Sequence, residues 1–322
     1  MELNPFIAAL RTDRGPQRQA QTAMDAARTA WRAEPGGEQL AEELYRYGKG
    51  APLEMCPLLE AMFTEVGEAE RLIALLVRHY CAALKANPIG HPPFRHGFDG
   101  AAGTLLLARS GRVQLMIQAR EPGRLDHRTY TFSDASRFDA VLAGEGQARI
   151  VRARPAGGTA VQFDREALSL RGGERIALDS ASETLVVDSV ERRLVVLRLM
   201  RSAAEPEPGR EYDAQSGALL SQSAGTIATS RQEMIVALLG RMGRSDAAPE
   251  MAWLATGEGD RSLRWQALRE CLALDSAEGF AALGNMARAA NDPLAANAGA
   301  LRAQLLENYP EFAELGATGC RA

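Results

Sequence analysis

Apolar residues recur every three to four positions from residue 17 to about residue 87, which is the spacing of helices that bury one face. The first stripe consists of Ala20, Met24, Ala27 and Trp31. Pro35 and the glycines after it should end that helix, and a second helix is predicted over residues 38–47. A third run, from Leu58 to Leu84, contains Gly67, which should divide it because glycine inside a helix costs about 1 kcal/mol relative to alanine.

The pattern changes where prolines and glycines crowd residues 87–103. Beyond them, short apolar or alternating runs reach to about residue 200, and turn residues separate them roughly every 10–15 positions. Predicted turns include Ser110-Gly111, Gly144-Glu145-Gly146 and Gly172-Gly173. This rhythm is typical of an antiparallel β-barrel or β-sandwich.

Helical spacing returns at Ser230, a predicted N-cap with Glu233 three residues later, as in a capping box. Further along, Ala267-Leu268-Arg269-x-x-Leu272 recurs 33 residues later as Ala300-Leu301-Arg302-x-x-Leu305. This tail resembles HEAT-like repeats, which stack helical hairpins, although a small helical bundle would explain the pattern equally well.

Taken together, these patterns predict an α+β protein with three regions. Residues 1–90 should form a helical region, residues 91–229 an antiparallel β-barrel, and residues 230–322 a helical, HEAT-like region.

Composition narrows the class of protein without identifying a ligand. The chain has 322 residues, of which 46% are hydrophobic and 24% charged, and a net charge of −4 argues against coating nucleic acid or an anionic membrane. The longest apolar run, Leu72–Val77, is too short to cross a bilayer, and no secretory pattern opens the chain. The composition is arginine-rich, of a bacterial type. Of the 37 basic residues, only Lys49 and Lys85 are lysines, which leaves few candidates for lysine-based covalent catalysis.

Four scattered cysteines form no Cys-x-x-Cys pair: Cys56, Cys81, Cys271 and Cys320. That usage indicates reduced thiols and a cytoplasmic location rather than a disulfide scaffold or a zinc ribbon.

Two segments of the strand region carry a family resemblance. Residues 138–146, ending Val-Leu-Ala-Gly-Glu-Gly, resemble the strand and turn of the first cupin motif, and Leu170–Leu178 resembles the opening of the second. The resemblance implies a cupin-type barrel, a family whose members commonly hold a metal ion on histidines and a glutamate.

The positions that would hold that metal carry other residues. Arg137 stands where the family has glutamate, Tyr130 and Phe132 stand at two histidine positions, and Thr184 stands at the third. Divalent metals need imidazole and carboxylate donors at about 2.0–2.3 Å, so we expect no metal and no cofactor here. A shift of one residue would offer Ser133, Asp134 and Asp139, still without histidine.

Tyr130, Phe132, Arg137 and Thr184 are therefore the candidate ligand-binding residues. An arginine beside aromatic rings suits a small anionic or aromatic ligand, through bidentate hydrogen bonds and stacking. The alternative is that Tyr130 and Phe132 fill the barrel core while Arg137 forms a surface ion pair.

A second hypothesis places a metal at a non-standard site. His91, His96, Asp99 and His127 could assemble one, which would make the protein an oxygenase, isomerase or lyase. An incidental role for these residues is the alternative, because prolines make their segment a turn-rich loop. No catalytic residue is assigned, since Gly-x-Ser-x-Gly and P-loop motifs are absent from the sequence.

The apolar run Leu194–Met200 predicts a central strand, and we interpret Arg198 and Arg201 around it as contributing to fold stability. The leading functional hypothesis is a metal-free binding or accessory protein that performs no catalysis. It would hold a small ligand, a partner protein or both. A homodimer is compatible with this hypothesis, and no nucleic-acid or membrane partner is expected. Ligand-responsive gene regulation is a third hypothesis, which suffers from the lack of a clear helix-turn-helix in residues 1–90.

Overall fold

A computed structural model describes residues 13–158 and 160–313, and it confirms a mixture of helices and strands. The chain divides into two compact units that meet between Gln222 and Ser223. Within the described residues, side chains from the first helices, such as Leu59, share one buried core with strand residues such as Leu199. The division into regions 1–90, 91–229 and 230–322 stays a prediction.

Within the described residues, the first unit begins with four helices: α1 (Gly15–Ala33), α2 (Gly37–Gly48), α3 (Pro57–Thr64) and α4 (Glu68–Ala86), with a 3-10 turn at Leu53–Met55 between α2 and α3. Gly67 separates α3 from α4 as predicted, with a φ of 123° that glycine adopts without the strain other residues would incur. The predicted first stripe is also confirmed, since Ala20, Met24 and Ala27 are buried on α1.

Eleven strands follow in the described residues. They are β1 (Arg95–Phe98), β2 (Ala102–Ser110), β3 (Val113–Arg120), β4 (Gly123–Arg124), β5 (Thr129–Phe132), β6 (Ala135–Gly157), β7 (Ala160–Arg171), β8 (Arg175–Asp179), β9 (Glu183–Ser202), β10 (Gly209–Asp213) and β11 (Leu219–Ser223). The larger sheet has the order β1-β2-β3-β9-β6-β7, with β4 beside β9 and β8 beside β6, and every pairing is antiparallel. A smaller sheet has the order β11-β10-β5.

The turn predicted at Gly144-Glu145-Gly146 is wrong, because β6 continues through it. Strands β6 and β9 pair along nearly their whole length, and their register shifts repeatedly between Val141 and Ala148. These β-bulges bend both strands. A Cβ at Gly144 would lie 2.3 Å from the carbonyl oxygen of Arg193, so glycine serves a close approach between strands here.

Successive side chains of β3, β6 and β9 point to opposite faces of the sheet, as the pleat requires. On one face, Leu115, Ala140 and Leu199 join the core formed with the helices. On the other face, residues such as Val141 and Val196 belong to a second apolar cluster. The bend folds the sheet over this second face, so parts of the same long strands lie on both sides of an enclosed space.

The second unit consists of helices α5 (Ile227–Arg241), α6 (Ala248–Thr256), α7 (Arg261–Leu274), α8 (Ser276–Arg288) and α9 (Ala295–Asn308), with a 3-10 turn at Ser245–Ala247. The predicted N-cap at Ser230 is wrong: Thr226 caps α5, its hydroxyl accepting a hydrogen bond from the backbone N–H of Thr229. Helices occupy the repeated segments, while the HEAT-like arrangement stays a prediction. Among the described residues, no helix combines the length and apolar character needed to span a bilayer.

Candidate functional site

A cavity of about 60 Å³ is lined by strands of the first unit. Its polar side chains are those of Gln118, Arg120, Arg137, Asp139 and Arg198. Its other side chains are apolar and come from β6, β7, β8 and β9. A space of this size holds roughly two water molecules at about 30 Å³ for each molecule in the liquid.

Strand register determines why these charged groups meet. Asp139 on β6 lies directly opposite Arg198 on β9, and Arg137 lies two residues before Asp139 on the same face. Gln118 and Arg120 share the corresponding face of β3, which pairs with the other edge of β9. The register pairs Gln118 with Val196 and Arg120 with Leu194, so polar side chains from three neighbouring strands line the cavity beside apolar residues of β9.

Asp139 is fully buried and holds two of the arginines. Arg198 donates from Nε to Oδ1 at 2.7 Å and from Nη2 to Oδ2 at 2.9 Å. Arg137 donates from Nε to Oδ1 and Oδ2 at 3.2 and 3.1 Å, and from Nη2 to Oδ2. These bonds use the lone pairs that a carboxylate offers, and bidentate contacts fix the planes of both guanidinium groups.

The charges of this cluster are strongly coupled. Burial alone would raise the pKa of Asp139, but Arg198 and Arg137 outweigh it and hold that pKa well below the usual range of an aspartate. Burial lowers the pKa of Arg137, and Asp139 opposes the change. All the guanidinium groups nevertheless stay protonated at neutral pH, because an arginine ordinarily titrates above about pH 12.

Arg120 has a different environment from Arg137 and Arg198. Within the described residues its guanidinium makes no side-chain hydrogen bond, and it lines the cavity beside Gln118. Burial lowers its pKa, the positive charge of Arg198 lowers it further, and Asp99 opposes them. Asp139 is thus the one carboxylate in the lining beside three guanidinium groups, and Asp99, outside the lining, acts on Arg120 through its charge, so positive charge stays in excess here.

The cavity-lining groups suit binding better than proton transfer. Asp139 stays ionised and fully hydrogen-bonded, the arginines stay protonated, and the amide of Gln118 does not titrate. A general acid or base works best with a pKa near the operating pH. The side chains that line this cavity can orient and neutralise an anion, but they include no group poised to move a proton near neutral pH.

The same lining does not suit the divalent metal that a cupin-type barrel would imply. Its one carboxylate, Asp139, already accepts bonds from two cations, and no imidazole lines the cavity. A divalent metal needs several nitrogen or oxygen lone pairs and would be repelled by the excess positive charge.

The four predicted ligand-binding residues do not lie together. Arg137 lines the cavity, but Tyr130 and Phe132 pack in a separate buried cluster with Tyr212 and Phe163. Tyr130 meets Phe163 edge-on with ring centroids 4.9 Å apart. The alternative for the two rings, that they fill a core, matches their burial, whereas Arg137 is buried rather than part of a surface pair.

Thr184 lies on β9 next to Leu185, which lines the cavity. Because alternate residues of a strand point to opposite faces, Thr184 is on the face that Val186 shares with the aromatic cluster. The cupin alignment thus places Arg137 in the cavity and the other three positions outside it.

The four residues of the alternative metal site, His91, His96, Asp99 and His127, do not share one set of partners. The rings of His91 and His96 lie 5.7 Å apart, centroid to centroid. Asp99 accepts bonds from the backbone N–H groups of Ala101 and Ala102, and these bonds lower its pKa. His127 Nε2 lies 2.7 Å from the carbonyl oxygen of Val187. Within residues 13–158 and 160–313, no three His, Cys, Asp or Glu side chains are grouped as a metal site would require.

Sequence reasoning missed most of the polar wall. The sequence analysis interprets Arg198 as fold-stabilising, offers Asp139 only in the shifted register, and does not single out Arg120 or Gln118. A signal is present in two strands, where charged or amide side chains occupy alternate positions on one face, at Gln118 and Arg120 in β3 and at Arg137 and Asp139 in β6. Of the cysteines, Cys56, Cys81 and Cys271 are free, and Cys320 lies outside the described residues.

No family model matches the chain, and no curated protein matches it. Several solved structures are similar to part of it. The 7S globulin of Momordica charantia is 17% identical with a TM-score of 0.27, over 38% of this chain and 36% of that one. The chain thus spans about a third of the length of that globulin.

Two bacterial structures give similar values. KdgF from Halomonas sp. is 10% identical with a TM-score of 0.26, over 34% of this chain and 87% of that one. A cupin superfamily protein from Desulfitobacterium hafniense is 15% identical with a TM-score of 0.24, over 33% and 83% of the two chains. Cupin proteins are therefore among the structural neighbours, but at these TM-scores the function has to be argued from the cavity itself.

Proposed function

We propose that this protein binds a small anion inside the folded-over sheet and performs no chemistry on it. The observation that carries the proposal is that three guanidinium groups, those of Arg120, Arg137 and Arg198, line one cavity with a single carboxylate, Asp139. Positive charge in excess inside a partly buried cavity favours an incoming anion.

The donors available to such an anion are specific. Arg137 and Arg198 each use Nε and Nη2 on Asp139, which leaves Nη1 of both for a ligand. Arg120 has its whole guanidinium to offer, and such groups bind a carboxylate or an oxyanion by paired hydrogen bonds. Because Asp139 already holds two of these arginines in place, the site is organised before the ligand arrives, which reduces the entropy cost of binding.

The experiment is thermal unfolding of the full chain in a zwitterionic buffer, with sodium acetate, phosphate or sulfate compared with sodium chloride at matched ionic strength. A ligand that binds the native state should raise the melting temperature in a concentration-dependent way. Arg120→Met should lose this response. Arg128→Gln, whose side chain is 91% exposed, should keep it as the matched control.

Two results would contradict the proposal. One is the absence of any anion effect beyond that of chloride, and the other is an equal effect in Arg120→Met and Arg128→Gln. Stoichiometric metal in protein purified without added ions, lost in His96→Ala, would favour the metalloenzyme hypothesis instead.

A further inference from the structure

The cavity has a second wall with a chemistry of its own. Besides the charged groups, its lining includes the apolar side chains of Val141, Leu170, Ile176, Val187, Leu194 and Val196. All six are buried and belong to one apolar cluster. The cavity is therefore amphipathic: cations and branched aliphatic side chains line the same space, and Arg120 pairs with Leu194 in the strand register.

This wall restricts which anion fits. Phosphate and sulfate carry oxygens on every side, so those facing the aliphatic wall would lose their hydrogen bonds to water without replacement. A carboxylate with a short hydrocarbon tail has no such penalty, because its tail gains free energy from contact with the apolar side chains. No aromatic side chain lines the cavity to stack on a planar ring.

Resting on the proposed function, we infer that the ligand class is a short aliphatic monocarboxylate, bound with its carboxylate at Arg120 and its tail against the valine and leucine side chains. The volume of the cavity limits the length of the ligand. A cavity of about 60 Å³ accommodates only a few non-hydrogen atoms. The smallest aliphatic acids, acetate, propionate and butyrate, test that limit.

The test is isothermal titration calorimetry of the full chain with acetate, propionate, butyrate and hexanoate, and with sulfate, phosphate and 1-butanol as probes. Each added methylene up to butyrate should tighten Kd about fourfold, since it transfers further apolar surface out of water. Hexanoate should bind more weakly than butyrate, because its tail exceeds the cavity. Sulfate and phosphate should bind more weakly than propionate, and 1-butanol should not bind measurably.

Val196→Thr places a hydroxyl in the aliphatic wall and should weaken butyrate at least fivefold while leaving acetate within twofold. Val77→Thr, on a half-exposed helix position, is the matched control and should leave both unchanged. The homologous series in the native chain gives the answer even if Val196→Thr fails to fold.

The outcomes separate the two levels of the proposal. If sulfate or phosphate binds as tightly as butyrate, with no dependence on chain length, the monocarboxylate inference is overturned and anion binding stands. If no anion binds, or if 1-butanol binds as tightly as butyrate, the proposed anion site itself is overturned and the inference with it.

Discussion

Each of the two units contains a buried arginine–aspartate cluster, and the two clusters differ in their charge balance. In the second unit, Arg264 donates to both carboxylate oxygens of Asp292 and, from Nε, to the carbonyl oxygen of Ala255 at 3.0 Å. Asp292 also accepts a bond from the backbone N–H of Leu294 at 2.9 Å. This pair is neutral, and its partners tie the start of α7 to the segment before α9.

In the first unit, Asp139 faces Arg137 and Arg198, and Arg120 lies close enough to Arg198 for the positive charge of Arg198 to lower its pKa. The cluster is positive overall and borders a cavity, whereas no cavity we describe is lined by Arg264 or Asp292. Burying charge is costly unless it is paired. The neutral pair therefore fits a structural role, whereas the positive cluster is the site at which we propose that an anion binds.

The largest loss of stability is expected for Asp139→Asn. Losing the carboxylate leaves the buried guanidinium of Arg137 and the largely buried one of Arg198 without their shared counter-charge, and breaking a buried pair typically costs about 3–5 kcal/mol. Urea unfolding, with hydrogen exchange of β6 and β9, should show the loss. The control is Asp188→Asn, because Asp188 pairs with Arg149 at a half-exposed site where such pairs contribute about 0–1 kcal/mol. Equal losses in the two variants would contradict the coupling described for Asp139.

Asp292→Asn should destabilise the second unit by an amount near the lower end of that range, about 3 kcal/mol, because Arg264 stays buried without its partner. Measuring the stability of both variants in acetate should separate the two clusters further. Added acetate should restore part of the stability of Asp139→Asn, which keeps a cavity and a larger positive excess, and none of that of Asp292→Asn. Equal restoration in both variants would mean that the two clusters respond alike.

Lowering the pH should produce a smaller difference in stability between the native chain and Asp139→Asn. The folded-state pKa of Asp139 lies well below its unfolded value of about 3.9, so its contribution is complete above that pH and is lost as pH falls towards the folded pKa. The native chain should therefore lose stability more steeply below about pH 4 than Asp139→Asn does. Urea midpoints measured from neutral pH downwards would check this, and parallel curves would count against it.

The smallest change in stability is expected for Arg120→Met. Removing one of three like charges and replacing its stem with an apolar side chain should shift the free energy of unfolding by less than about 1 kcal/mol in either direction. Anion-dependent stabilisation should nevertheless disappear, as proposed above. A large loss of stability would show that Arg120 is a structural residue like Arg264.

Much of the fold followed from periodicity, and much of the site did not. The stripe of α1 and the break at Gly67 are local signals, since spacing and glycine content set them directly. The continuation of β6 through Gly144 was missed because a glycine at a β-bulge and a glycine at a turn look alike in sequence.

The site depends on pairing between distant strands. Asp139 and Arg198 are 59 residues apart in sequence, and only the register of β6 on β9 places them opposite each other. Arg137 was found because a family pattern pointed to its position. The same pattern misplaced Tyr130 and Phe132, since those rings belong to a different buried cluster.

The most direct test of the positive cavity is a crystal structure of the full chain soaked with 3-bromopropionate, whose bromine is located by anomalous scattering. The account predicts a carboxylate between Arg120 and the free Nη1 groups of Arg137 and Arg198, with bromine against the aliphatic wall. A cavity that holds only water at saturating ligand, or a carboxylate bound away from Arg120, would contradict it.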